Sequence, residues 1–257
     1  MNLAKLFYTS PEAVGLRRLP VRATLYPFDS PEAARAVRKE NSPFVLDLDG
    51  SWAFRYLTDP ATLDETVAEP TLDDSGWARA EVPGCWVMHG YDHPHYTNVQ
   101  MPFAELPPEV PAENPTGVYR RAFTLPEAWA ARRNVLHFDG AESCFLAFVN
   151  GQLVGGSKDS RGATEFDLTG IVHAGENQLT VVVVKWSDGT FLEDQDHWYL
   201  PGLSRSVYLY STPQVHIADL FAKSTLKEDL TTGQLDLELF YGVPELKAAD
   251  ALEISAK

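Results

Sequence analysis

The chain has 257 residues, 44% of them apolar and 11% aromatic, which is ample for a packed core and too rich for a disordered segment. Thirty-six acidic residues against 21 basic give a net charge of −15, a surface that repels phosphate backbones and offers no basic patch to anionic lipid, so neither nucleic acid nor a membrane is expected as a partner. Cys85 and Cys144 are too few for a disulfide framework and read as buried free thiols in a reducing compartment. The first residues lack the apolar core of a signal peptide, and no stretch approaches about 18 apolar residues in a row; a cytoplasmic protein is the expectation.

Residues 1–42 read as an extended arm punctuated by Pro11, Pro20, Pro27 and Pro31. One short helix is predicted at Ser30-Pro31-Glu32-Ala33, with a serine N-cap, proline at the first helical position and an acidic residue after it. The arm has no core of its own, so it must lie on the rest of the protein or on another subunit.

From Phe44 onward short strands alternate with turn residues, over 44–57, 80–83, 118–125, 134–138, 144–149, 152–155, 178–186 and 206–211. Asn150-Gly151 is the sharpest hairpin signal, because both central residues of a type I′ turn need positive φ. Thr180–Val184 is β-branched without alternation, as suits a strand buried on both faces. Many short strands at this spacing predict an all-β fold, a jelly-roll sandwich over 43–213. Beyond Pro213 the segments 215–226 and 234–241 alternate again. They read as the start of an immunoglobulin-like sandwich, truncated at residue 257, since such a domain needs roughly 100 residues.

The chemistry falls in two loops. Met88 to Gly117 is long and proline-rich, and its first part, Trp86 to Val99, mixes rings with His89, Asp92, His93, His95 and Asn98. Rings stack on the apolar faces of a pyranose while amides and carboxylates pair its hydroxyls; a structural plug at the sandwich edge would have the same composition. Pro94 breaks the spacing that zinc ligation by the histidines would require. The second loop, Trp186 to Trp198, carries Glu193, Asp194 and Asp196. Carboxylates this close repel, so the loop is either a solvated acidic turn or a site where a hard cation or a polyol compensates. Retaining hydrolysis needs two carboxyls about 5 Å apart, one raised in pKa by burial. No isolated apolar glutamate faces the acidic run, so these loops look like binding walls lacking an acid and a nucleophile.

At these loops the sequence resembles the β-galactosidases of glycoside hydrolase family 2. The matching stretches are Leu48-Asp-Gly-Ser-Trp-Ala-Phe, Met88-His-Gly-Tyr-Asp, Tyr96-Thr-Asn-Val, Glu113-Asn-Pro-Thr-Gly, Phe138-Asp-Gly-Ala-Glu-Ser and Val149-Asn-Gly. Asp159-Ser-Arg, Glu165-Phe-Asp-Leu, Ala174-Gly-Glu-Asn, Trp186-Ser-Asp-Gly, Leu192-Glu-Asp-Gln-Asp-His-Trp and Pro201-Gly-Leu-Ser-Arg follow in the family's order. The arm is similar more weakly, at Ser10-Pro-Glu-Ala-Val and Arg18-Leu-Pro-Val-Arg-Ala.

The resemblance implies a sugar-binding jelly roll, then an immunoglobulin-like sandwich, then a TIM barrel whose two catalytic glutamates and magnesium ligands lie past Lys257; the chain alone is then inactive. It implies that Asn98 contacts the substrate and that Asp196 contacts the sugar and binds a sodium ion whose other ligands come from the barrel. It also implies a homo-oligomer, a tetramer in the full-length form. Some members hold a second magnesium between arm and jelly roll, where this sequence has Phe7, Ser10 and Lys158 beside Asp188. A phenyl ring and an ammonium cannot ligate a hard cation, so that metal is expected to be missing, with Lys158 neutralising Asp188. Three functions follow: the amino-terminal part of a β-galactosidase cleaving terminal β-galactosides such as lactose, a free-standing carbohydrate-binding module, or a structural or complementing fragment.

Overall fold

Strands can satisfy their backbone groups only by pairing, and the apolar segments of this chain pair into two sheets that face each other. The computed structural model describes residues 7–242. The strands are β1 (Gly15–Leu16), β2 (Val45–Asp47), β3 (Gly50–Leu57), β4 (Ala78–Val82), β5 (His95–Tyr96), β6 (Thr116–Leu125), β7 (Arg133–Phe138) and β8 (Cys144–Val149). They continue as β9 (Gln152–Ser157), β10 (Thr164–Asp167), β11 (Gly175–Val184), β12 (Trp198–Tyr199), β13 (Val207–Thr212), β14 (His216–Leu226) and β15 (Gly233–Gly242).

One sheet has seven strands in the order β1-β9-β8-β11-β6-β3-β4, the other four in the order β10-β7-β13-β2. Every pairing is antiparallel. The fold is therefore the expected all-β sandwich. Between the sheets lies an aromatic core of Trp52, Phe54, Tyr119, Phe138, Phe145 and Phe166, with Leu179, Val181, Val183 and Leu209. Each fully buried side chain of this kind contributes on the order of 1.5–3 kcal/mol.

The even-numbered residues of β11 explain why its sequence shows no alternation. Val182 and Val184 point to the outer face of the seven-stranded sheet, into a second cluster closed by Phe7 and Tyr8 of the arm and by Leu63, Val67 and Ala68. The arm then adds β1 to the sheet edge beside β9 and crosses to the far side, where Leu19 and Tyr26 pack with Val135, Tyr208 and Tyr210 of the four-stranded sheet. It thus straps both outer faces.

The local signals read as the residues dictate. Ser30 Oγ accepts from the Ala33 N–H at 3.2 Å to cap the helix α1 (Pro31–Arg35). Asn150 and Gly151 take φ of +51° and +80° in the β8–β9 hairpin. The expected strand 44–57 is instead two, because it changes sheets: β2 pairs β13 while β3 pairs β4 and β6. Both cysteines are free, Cys144 buried and Cys85 only half-buried. β14 and β15 pair with each other as a long hairpin that leaves Phe221, Leu235, Leu237 and Phe240 exposed. Residues 1–6 of the arm and 243–257 of the expected second sandwich lie outside the described residues. Among those described, no helix is long and apolar enough to cross a membrane.

Candidate functional site

Loops meet where strands bring their ends together, and here a two-stranded ribbon does it. β5 and β12 pair Tyr96 with Trp198 and His95 with Tyr199, so the loop after β4 and the loop after β11 share one surface. Tyr96 donates its phenolic O–H to Asp196 Oδ1, and Asn98 Nδ2 donates to the same phenol oxygen at 3.4 Å. Asn98 and Asp196 therefore lie one phenol apart. The Tyr96 and Trp198 rings, 41% and 57% exposed, sit 5.7 Å apart at 58°. Two open rings beside an amide and a carboxylate present one apolar and one hydrogen-bonding surface, which is what a pyranose requires. The bridging Tyr96 heads the stretch Tyr96-Thr-Asn-Val, and its position two before Asn98 places both on one side of an extended segment.

Beneath the ribbon a buried ammonium fixes the first loop. Lys185 follows β11 and its side chain is 0% exposed. Its Nζ donates to Asp92, to His95 Nδ1 at 2.7 Å and to the His93 carbonyl at 3.2 Å, and lies 4.8 Å from the Trp186 ring centroid. His95 accepts through Nδ1 and is therefore neutral; burial, then the neighbouring ammonium, hold it below the ordinary histidine range. Asp92, His93 and His95 place ligand atoms within 4.8 Å of one another, a grouping the spacing argument did not foresee. The Lys185 ammonium occupies the Asp92 carboxylate and His95 Nδ1, so the residues present do not fit a metal. His89 lies apart from this group, in the cleft beyond the ribbon.

The acidic loop is dispersed rather than pooled. Glu193 accepts from the Ser160 N–H at 2.9 Å and from its hydroxyl, and stands 3.8 Å from Arg161. Asp196 is taken by Tyr96, and Asp194 Oδ1 is buried with no hydrogen-bond partner among the described residues. Asp196 could give one oxygen to a hard cation such as sodium, which would need further oxygens from elsewhere. A glutamate facing the run, not expected from sequence, does exist: Glu142 is 7% exposed, and burial raises its pKa. The Arg161 guanidinium, 3.9 Å from Glu142, serves both glutamates. One guanidinium shared between two carboxylates offsets only one of their charges, and Glu142 still feels the negative charge of Glu193.

At the arm, Lys158 Nζ lies 2.7 Å from Asp188 Oδ1 and 2.7 Å from the Ser10 carbonyl, and 5.4 Å from the Phe7 ring centroid. Both charges are buried. An ammonium already on Asp188, beside a phenyl ring, leaves a donor set that does not fit magnesium.

Residues 45–213 match the family model described as "Glycosyl hydrolases family 2, sugar binding domain". A β-galactosidase of Psychromonas ingrahamii is 45% identical over 215 residues, 84% of this chain and 21% of its own length. One of Vibrio cholerae is 46% identical over 179 residues, 70% of this chain and 18% of its own, and one of Yersinia pestis is 37% identical over 249 residues, 96% and 23%. This chain spans about a fifth of the length of those curated relatives. Among solved structures, a β-glucuronidase of Bifidobacterium dentium aligns with a TM-score of 0.55 at 24% identity, over 77% of this chain and 36% of that one. A β-glycosidase from Bacteroides vulgatus gives 0.59 at 20% identity, over 79% and 25%. At such identities the likeness is one of fold.

Proposed function

Since the chain belongs to glycosyl hydrolase family 2, as its sugar-binding domain, we propose that it forms one wall of the galactose site of a retaining β-galactosidase. The parent protein acts on terminal β-D-galactosides such as lactose, and bond cleavage is performed by two glutamates of a barrel that this chain does not contain. Its own residues bind and orient: Tyr96 and Trp198 offer faces to the apolar side of the ring, Asn98 pairs a hydroxyl, and Asp196 accepts from another. A sodium ion on Asp196, completed by the barrel, would lock the hydroxyl it shares; the magnesium of the full-length enzyme lies wholly outside these residues. The parent is a cytoplasmic homo-oligomer, a tetramer, in this reading.

One observation carries it: Tyr96 bridges Asn98 and Asp196, so a single sugar can touch both. In the full-length parent, Asn98→Ala and Asp196→Ala should each raise KM for a β-galactoside by about tenfold or more, the effect of losing roughly 1.4 kcal/mol of contact. Unchanged kinetics in both variants would sink the assignment. Galactose titrated into this chain, followed by tryptophan fluorescence, should bind only in the millimolar range, because half the site is missing. Micromolar binding would instead mark a free-standing carbohydrate module.

A further inference from the structure

Beyond the ribbon lies an open cleft of about 610 Å³, inside the roughly 300–1,000 Å³ range of small-molecule sites. It runs between the end of β4, the turn at 86–89, the Glu142 corner and β12. Trp198 lines it and, with its ring 5.7 Å from that of Tyr96, borders the ribbon as well. The two surfaces are therefore continuous across one indole.

The lining states what it can take. Pro83, Met88 and Leu200 give it an apolar side, with Met88 79% exposed. Its formal charges are Glu81 and Glu142 against Arg161 and Arg205, which cancel. Arg161 is further occupied by Glu193, 3.8 Å away, and by the His197 ring. Counted with Glu193, three carboxylates stand against the two guanidiniums, an excess of one that disfavours an anion and is too small to mark a cation site. What remains is a balanced set of donors and acceptors beside an apolar wall and an open indole, the surface that neutral polyhydroxy compounds pair with. Glu142, buried among these groups and holding the Leu200 N–H at 3.3 Å, is positioned to pair a hydroxyl.

We propose that this cleft is a second saccharide subsite, which takes the further neutral sugar rings of a galactoside whose terminal ring lies on the Tyr96–Trp198 ribbon. The proposal rests on the reading of the ribbon as a galactose wall, and the two separate by experiment. In ¹⁵N-labelled full chain, methyl β-galactoside should shift the Asn98 side-chain amide and the Trp198 indole. A neutral galactotriose should in addition shift the Leu200 and Ser204 amides and bind about tenfold more tightly, the equivalent of roughly 1.4 kcal/mol. Ser204→Trp, a substitution at an exposed position on the cleft rim, should abolish that gain and leave the response to methyl β-galactoside unchanged.

Equal affinity for the two sugars with Leu200 and Ser204 unmoved overturns the cleft while an Asn98 response keeps the ribbon. Movement at Leu200 and Ser204 without Asn98 overturns the ribbon reading and with it the two-part site, leaving the cleft a saccharide site in its own right. A response of the cleft to gluconate and not to galactotriose overturns the neutral-saccharide assignment.

Discussion

Tyr96 and Asp196, one hundred positions apart in sequence, share one hydrogen bond at the centre of the ribbon, and it joins the two loops in a single site. Tyr96→Phe keeps the ring and removes that bond. Both partners are partly exposed, so stability should fall by no more than about 1 kcal/mol. Asp196 would be freed from its fixed rotamer, and galactose affinity should fall roughly fivefold for a similar energy. A melting curve and a sugar titration of the variant check both; a Tyr96→Phe chain that binds as well as the parent would show that Asp196 needs no such hold.

The fully buried Lys185 ammonium gives a larger effect. Lys185→Met leaves Asp92 buried without its partner, and breaking a buried pair from one side costs about 3–5 kcal/mol. Pairing it with Asp92→Asn removes the stranded charge and should recover much of the loss. Urea unfolding of the three variants measures this, and a double variant no more stable than Lys185→Met alone would contradict it.

His137 on β7 contacts Glu165 at 2.9 Å through Nδ1 and Asp139 at 2.7 Å through Nε2, and stacks on Tyr208. Arg22 of the arm closes on Glu165 at 2.9 Å. Burial pulls the imidazole pKa down, but the two carboxylates outweigh it and hold it above its ordinary 6.5. Asp139 is held below 3.8 by its bond to His137. Glu165 is held below 4.5, burial being outweighed by His137 and Arg22. The raised histidine stabilises the fold fully below pH 6.5, and that contribution is lost as pH rises through its elevated value. The depressed carboxylates stabilise above their ordinary values and are lost as pH falls through the lowered ones. Stability from this cluster should therefore be greatest between about pH 4.5 and 6.5, and His137→Gln should flatten the alkaline side. An unchanged alkaline slope in that variant would assign the dependence to other groups.

Lys158 on Asp188 carries a prediction about magnesium. Titrating magnesium into the full-length protein should give no heat that depends on Asp188, because the ammonium already answers that carboxylate. Magnesium binding that Asp188→Ala abolishes would refute it.

Gly117 in β6 shows how tightly the first loop is seated. A Cβ there would stand 2.7 Å from the Trp86 ring and 2.9 Å from that of Phe54. Gly117→Ala should cost about 1–3 kcal/mol by overpacking, read as a lowered Tm; an unshifted Tm would mean that Trp86 can move aside.

The amino-acid sequence by itself determined the local structure: where strands run, the positive φ of Asn150-Gly151, the cap at Ser30 and the double-sided burial of Thr180–Val184. Each of these follows from side-chain sterics or hydrogen bonding among near neighbours, which a short window contains. It also carried the two loops that bear Asn98 and Asp196, because their motifs are contiguous. Tertiary structure alone decided which groups neutralise which. Lys185 finds Asp92 across 93 positions, Arg161 stands between Glu142 and Glu193, and the arm straps both sheets. Contacts of that kind depend on which strands become neighbours, and a run of carboxylates looks the same in sequence whether water, a cation or a buried guanidinium will face it.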